Sequence, residues 1–371
     1  MITLNMANKV MLITSIYPPQ IGGPAIFTSR FAAWLAEKGI SYGVITYNRE
    51  KSLPRPNISE IPLGTIRIIS FFRFIFTIIR KSEKNTLILA NGAFIETFIA
   101  CKLTRRRYVT KIPGDPVWEY ARNSGRTKLS REAFQATELS FFLKFLRAIF
   151  NKSFKESTVV ITPSSELLNF LHSWGISNTK LVFNSVDPTR FKSIVNPEKK
   201  FDLVSVTRLV QGKGLKELIE CSHKLNRSLL IIGDGPLMND LKNTACSLSA
   251  DVTFAGNLPN SEIPKILACS KVFVLNSESE ATSYALIEAK LSGLPILARR
   301  NQGSTTIVCD GVDGIIYSDG LGLENAIVKI FANPNLMQQF SEMGRQDALV
   351  RFNQEIIFNE IFDLIKSGFR H

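Results

Sequence analysis

The sequence is poor in the residues that staple or metallate a protein. Its five cysteines, Cys101, Cys221, Cys246, Cys269 and Cys309, are odd in number and contain no C-x-x-C pair, and its three histidines, His172, His223 and His371, are scattered. This spacing excludes a disulfide framework and a zinc site, leaving the cysteines as small buried hydrophobes of a reducing cytosol. No uncharged apolar stretch reaches the ~18 residues that would suggest a spanning helix. The longest candidate, IRIISFFRFIFTIIRK from Ile66, carries Arg67, Arg73 and Arg80. The early run VMLITSIY after Lys9 is short and lacks a small-residue cleavage site, so it reads as a buried strand rather than a signal peptide. Neither G-x-G-x-x-G nor G-x-x-x-x-G-K-[ST] occurs, which disfavours a nicotinamide cofactor and a P-loop. No D-x-D ends an apolar strand, so no metal is expected.

Acidic residues are scarce in one half only. Residues 1–185 hold 25 Lys and Arg against 11 Asp and Glu, while the remainder holds 20 against 21. The net charge of +13 therefore sits entirely in the first half. Such asymmetry points to a polyanion: nucleic acid, an anionic bilayer or phosphorylated substrates. No nucleic-acid-binding module is recognisable, so nucleic acid is not the expected partner.

With 45% apolar and 21% charged residues the chain is globular, and 371 residues suit two α/β domains better than one core. Strand-like runs alternate with helix-like ones: KVMLITSIY, a helix from about Thr28 to Lys38 ending at Gly39, SYGVITY, TLILA, RYVTKI and TVVITPS. The pattern restarts after VDPTRFKSIVNPEKK with FDLVSVTRL, SLLIIGDG, VTFAG, KVFVLNS and LPILAR. This alternation predicts parallel sheets. The expected division is a first domain over 1–187, a second over 200–355, and a terminal helix over 356–371 packing back on the first.

The chemistry-bearing motifs fall after strands. Gly22 and Gly23 precede the first helix, where a backbone can approach a ligand and a helix start favours an anion. Arg208 ends a strand and Lys213 follows in a Gly-flanked turn, two cations suited to a diphosphate. Gly233-Asp234-Gly235-Pro236 and Phe254 with Gly256 form later turns. In ESEATSYALIEAKLSGLP, Glu280 precedes a helix and Glu288 lies two turns inside it. A carboxylate on an apolar helix is costly unless hydrogen-bonded, and sugar hydroxyls are suitable donors. Each feature taken alone also fits a cap, a tight turn or a solvated charge.

Taken in order, the motifs resemble those of the retaining glycosyltransferases of family 4: Gly-Gly after the first strand, R-x4-K, G-D-G-P, F-x-G, and E-x7-E followed by S-G-x-P. The resemblance spans nearly the whole chain and implies an α/β, GT-B fold, with two Rossmann-like domains facing across a cleft. It implies that the first domain binds an acceptor and the second a nucleotide-sugar, and that no metal or other cofactor takes part. Glu288 would hold the ribose, Glu280 the donor sugar, and the backbone around Thr282, Ser283, Tyr284 and Ala285 the phosphates; Gly22, Gly23, Gly233, Gly235, Phe254 and Gly256 would border the donor. Arg208 and Lys213 would neutralise the departing diphosphate while the acceptor hydroxyl attacks from the same face. Two departures stand out. Ala281-Thr282-Ser283 replaces the family's usual glycine and aromatic, and Pro113-Gly114-Asp115 stands where a histidine is frequent. Asp115 is accordingly expected to be the polar group nearest the reaction, the alternative being a turn carboxylate that caps the next segment.

The basic first half suggests the acceptor. Arg105, Arg106 and Arg107 are consecutive, and ELSFFLKFLRAIFNKSFKE sets Lys144, Arg147, Asn151 and Lys155 beside Phe142, Phe145, Leu146 and Ile149. Basic amphipathic helices lie on anionic bilayers, although an ordinary domain helix with a charged outer face has the same pattern. The leading expectation is a cytoplasmic enzyme, peripheral on the inner face of the plasma membrane. It would move a sugar to a lipid-linked or membrane-proximal glycan in surface polysaccharide, such as lipopolysaccharide, assembly. The alternatives are a GT-B sugar-nucleotide epimerase, which would need acids and a histidine not evident here, and a non-enzymatic binder of nucleotide or nucleic acid.

Overall fold

The computed structural model describes residues 9–369 apart from 21, 49–54, 130, 192–197 and 281. The chain forms two units: one of residues up to Val182 together with those from Phe358 onward, the other Phe183–Ile357.

The first unit is built on seven strands: β1 (Val10–Thr14), β2 (Tyr42–Asn48), β3 (Ile58–Pro62), β4 (Leu87–Asn91), β5 (Val109–Lys111), β6 (Val160–Thr162) and β7 (Thr179–Leu181). They form one sheet in the order β3-β2-β1-β4-β5-β6-β7. Every pairing is parallel, with Val10 opposite both Tyr42 and Leu87. β1 and β4 are buried along their whole length, the mark of a parallel strand covered on both faces, which is why their sequences are continuous apolar runs. The helices are α1 (Gly23–Glu37), α2 (Arg67–Lys81), α3 (Phe94–Thr104), α4 (Pro116–Asn123), α5 (Arg131–Ala136), α6 (Phe141–Glu156) and α7 (Ser165–Ser173). α1 begins five residues before the expected Thr28, because Pro24 suits a first helical turn whose amides need no intrahelical partner.

The second unit has six strands: β8 (Phe201–Val206), β9 (Leu229–Ile232), β10 (Val252–Gly256), β11 (Ser270–Leu275), β12 (Ile296–Arg299) and β13 (Gly314–Tyr317). Their order is β10-β9-β8-β11-β12-β13, again all parallel. Between and after them run α8 (Leu215–Lys224), α9 (Met238–Leu248), α10 (Ile263–Ala268), α11 (Tyr284–Leu291), α12 (Gln302–Ile307), α13 (Gly320–Ala332) and α14 (Pro334–Arg351). The sheet separates two apolar cores. Val204, Phe273 and Ile296 meet α11 on one side, and Leu203, Val272 and Leu297 meet α8 and α13 on the other.

In each sheet the strand order reverses once, between β1 and β4 and between β8 and β11. Connections leave such neighbours for opposite faces, so the chain parts beyond their carboxyl ends and leaves a crevice for a ligand. The division after Val182 falls earlier than the expected linker. Phe183 packs edge-on against Phe352 with ring centroids 5.5 Å apart, and the Val186 amide donates to the Phe352 carbonyl at 3.0 Å. Those residues therefore belong to the second unit, while 192–197 lie outside the described residues. The terminal helix, α15, runs Gln354–Ser367. Its Phe358 sits in a nest of α1 aromatics, 5.1 Å from Phe31, 5.9 Å from Phe27 and 6.0 Å from Trp34. Such edge-to-face contacts add to the area they bury.

Candidate functional site

The reversal between β8 and β11 collects most of the motif residues. After β8 the chain turns through Arg208, which is exposed, to Lys213, which is half-buried, and Gly214 then opens α8. After β11, the Glu278 amide donates to the Gly212 carbonyl at 2.9 Å, tying the two loops together. Two residues later Lys213 Nζ donates to Glu280 Oε1 at 2.5 Å, with the two side chains only 19% and 17% exposed. The cation and carboxylate that sequence spacing singled out separately are thus one ion pair across the crevice of this unit.

Three further residues, missed by the sequence reading, hold that pair. Asn276 Nδ2 donates to the Gly214 carbonyl at 2.8 Å and to Glu217 Oε2 at 2.7 Å, while Tyr317 Oη donates to Asn276 Oδ1 at 3.0 Å. Gly303 lies against Glu280: its amide donates to the Glu280 carbonyl at 3.0 Å, and a Cβ there would come within 2.6 Å of the Glu280 Cβ. A side chain at position 303 would push Glu280 away from Lys213.

Gly233 and Gly235 do their work against backbone. At φ +136° Gly233 occupies a conformation closed to other residues, and a Cβ there would lie 1.9 Å from the Thr207 carbonyl oxygen. A Cβ on Gly235 would lie 2.5 Å from that of Leu209. The Leu209 amide donates to the Asp234 carbonyl at 3.0 Å and the Gly233 amide to the Gly256 carbonyl at 2.8 Å. These glycines zip the turns after β8, β9 and β10 together and so fix the backbone on either side of Arg208. Phe254 is half-buried and packs on the α8 side core.

Ser283 caps α11, its hydroxyl accepting from the Leu286 amide at 3.4 Å; Thr282, Tyr284 and Ala285 remain partly exposed around the helix start. Inside α11, Glu288 is 6% exposed and Arg190 Nη1 approaches its Oε1 at 3.4 Å. Arg190 also donates to the Asn260 carbonyl. The neighbouring Lys290 is wholly buried but structural, bound to Asp313 Oδ2 at 2.9 Å and to the Ile307 carbonyl at 2.8 Å. A cavity of about 680 Å³ opens on the α8 and α9 side of the Gly212 turn, lined among others by Gln211, Glu217, Asp240, Glu278 and Arg299. None of the motif residues lines it.

In the first unit the glycine pair starts α1. A Cβ on Gly22 would meet Ile16 Cδ1 at 2.7 Å, whereas Gly23 has open space around it. Asp115 takes up the capping geometry that was its alternative. It is wholly buried, and its Oδ1 accepts from the Val117 amide at 2.9 Å and the Trp118 amide at 3.2 Å, capping α4. This geometry fits the capping alternative for Oδ1. Arg147 is likewise not a surface cation: it stacks 4.9 Å from the Trp174 ring, with Nε and Nη2 buried. Lys144 is exposed and bound to Glu138 at 2.8 Å.

Comparison with known proteins bears on the second unit. Residues 186–347 match the family model for glycosyl transferases group 1. This region is thus similar to the group 1 glycosyl transferases. The lipopolysaccharide core biosynthesis glycosyltransferase LpsE of Rhizobium meliloti is 29% identical over 170 residues, covering 44% of this chain and 49% of that protein. That match spans about half the length of LpsE. Among solved structures, sucrose-phosphate synthase from Thermosynechococcus elongatus superposes with a TM-score of 0.79 at 18% identity, covering 98% of this chain and 99% of that one. Anabaena HepE, solved in complex with UDP-glucose, gives 0.76 at 18% identity over 97% of this chain and 99% of HepE. The fold is GT-B, as the motifs led one to expect. Among the described residues no three His, Cys, Asp or Glu side chains converge as metal ligands.

Proposed function

We propose that the chain is a retaining glycosyltransferase that takes a sugar from a nucleotide-sugar held in its second unit, without a metal, and passes it to a lipid-linked or membrane-proximal glycan. The observation that carries this is the Lys213–Glu280 pair beside the capped start of α11, with the buried Glu288 two turns further in. A buried carboxylate on an apolar helix is matched to ribose hydroxyls, which would share it with Arg190. Glu280, steered by Lys213, faces the donor sugar. Arg208 and Lys213 stand where negative charge grows as the bond from the anomeric carbon to the diphosphate breaks, and that stabilisation lowers the barrier. The acceptor oxygen bonds to the same face of the anomeric carbon, and its proton passes to the departing diphosphate oxygen, so no protein nucleophile is consumed.

HepE was solved with UDP-glucose and LpsE is named for lipopolysaccharide core biosynthesis, which supports a nucleotide-sugar donor and a surface-glycan acceptor. The charge excess of residues 1–185 supports work at an anionic membrane surface, as a peripheral protein on its cytoplasmic side. The test is a panel of nucleotide-sugars in a thermal-shift assay with and without EDTA, since a ligand that binds only the folded state raises its stability. One or more should stabilise the protein equally in both, and Glu288→Ala should remove the shift. Stabilisation abolished by EDTA would overturn the metal-free reading, and an inverted anomeric configuration in the product would overturn retention.

A further inference from the structure

The five phenylalanines that are large exposed hydrophobics among the described residues all lie on two helices of the first unit, Phe72 and Phe76 on α2 and Phe141, Phe142 and Phe145 on α6. α2 carries the stronger signal. One side of it, with Ser70, Phe74, Ile75 and Ile78, is buried. The outer side is apolar as well: Ile68, Phe72 and Phe76 recur every four residues in one stripe, 63%, 62% and 63% exposed, with Ile69 beside them. A helix that merely covers a sheet turns polar residues outward, and this one does not. Arg73 and Arg80, seven residues apart, follow one edge of the stripe, Arg67 and Lys81 stand at its ends, and all four are exposed. No Asp or Glu occurs between Ile61 and Ser82, and no carboxylate among the described residues pairs with these four cations. By contrast the cations of α6 are engaged, Lys144 by Glu138 and Arg147 by Trp174.

The stripe continues inward. At the first turn of α2 a cavity of about 470 Å³ is lined by Leu63, Arg67, Ile68 and Phe71. Two polar residues complete its lining, Tyr47 and Glu96, with Tyr47 Oη donating to Glu96 Oε1 at 2.7 Å.

We propose that the outer face of α2 docks on an anionic lipid bilayer, its aromatic stripe entering the acyl boundary, its arginines meeting lipid phosphates and the cavity receiving the chain of one lipid. Charge decides between this and other occupants. A second copy of the chain, meeting this face with its own, would set eight like charges against each other with no acid on α2 to offset them, whereas a phosphate-dense surface offsets them all. The proposal rests on the reading of a membrane-borne acceptor and gives it an address.

The test is sedimentation of the full chain with vesicles of phosphatidylcholine alone or with phosphatidylglycerol, alongside calorimetric titration with UDP. The protein should sediment only with the anionic vesicles and be released at high salt. Phe72→Ser with Phe76→Ser, and separately Arg73→Glu with Arg80→Glu, should each weaken binding by about tenfold or more, as loss of roughly one kcal/mol per cation implies. Because these side chains are exposed, both variants should keep the parent's melting temperature and UDP affinity. Equal recovery on neutral vesicles, or unchanged binding by both variants, overturns the proposal. So does a parent that ignores vesicles but forms a dimer which the variants lose. Vesicle binding through α2 with no affinity for any nucleotide-sugar would instead sink the transferase reading alone.

Discussion

Replacing Lys213 by Met separates what the Lys213–Glu280 pair does for the fold from what it does for the reaction. The two side chains are 19% and 17% exposed, so the pair is neither a surface contact nor fully dry. Removing one member of a fully buried pair costs ~3–5 kcal/mol and a surface pair contributes ~0–1, so the intermediate position here suggests about 2 kcal/mol. In a unit of this size that lowers the melting temperature by roughly 4–8 °C. Turnover should fall further, by about 100-fold or more, because a cation aimed at the leaving diphosphate acts mainly in the transition state. The double variant Lys213→Met with Glu280→Gln leaves no orphaned charge. It should regain most of the lost melting temperature while turnover stays low, a divergence that a double-mutant cycle measures. Calorimetry supplies the first readout and nucleoside diphosphate release from the donor supplies the second. If the double variant recovers both together, the pair is a brace and the catalytic reading fails.

Other outcomes follow from the same geometry. Gly233→Ala places a methyl group 1.9 Å from the Thr207 carbonyl oxygen, so its urea midpoint should drop well beyond the ~1 kcal/mol of an ordinary point change. Asp115→Ala removes the acceptor of two α4 amides and should cost ~1 kcal/mol, read from the same midpoint, with UDP affinity unchanged. Lys111 is wholly buried on β5, above the Phe27 ring, and burial lowers its pKa to about 7. Between that value and its unfolded pKa near 10.5 the unfolded chain holds the extra proton, so this group adds stability as pH rises through the window and its penalty is complete below about 7. Lys111→Met should raise the melting temperature at neutral pH and flatten its slope up to pH 10; a steeper slope would refute the argument.

What could be read from the sequence were features that local chemistry encodes. Continuous apolar runs such as VMLIT mark a strand covered on both faces, and Glu280 and Glu288 are conspicuous because a helix as apolar as α11 has little use for a carboxylate. What could not be read was pairing over distance. Arg190 meets Glu288 from 98 residues away, out of a single turn of 3-10 helix, and nothing in its own surroundings marks it. Asn276 and Gly303 support the site for reasons that exist only once three loops converge. Strands β5 to β7 are three residues each, too short for any alternation to show, and β7 is not recognisable beforehand. Asp115 is ambiguous for the opposite reason. A carboxylate after Pro-Gly looks alike in sequence whether it caps a helix or meets a ligand, and its burial and its bonds to the α4 amides appear only in the fold.

The nest that α1 makes for Phe358 bears on how the chain is assembled during synthesis. Phe27, Phe31 and Trp34 are translated early, yet after the first unit's main run ends at Val182 the 175 residues from Phe183 to Ile357 must be made before the ring they enclose. At ~5–20 residues per second the ribosome needs roughly 9–35 s to cross that interval. By its end the second unit has all of its sequence available in one continuous run, while throughout it the first presents an uncovered aromatic face. The unit that is made first is therefore the last to be sealed, and a chaperone arriving in that interval would find its target on α1.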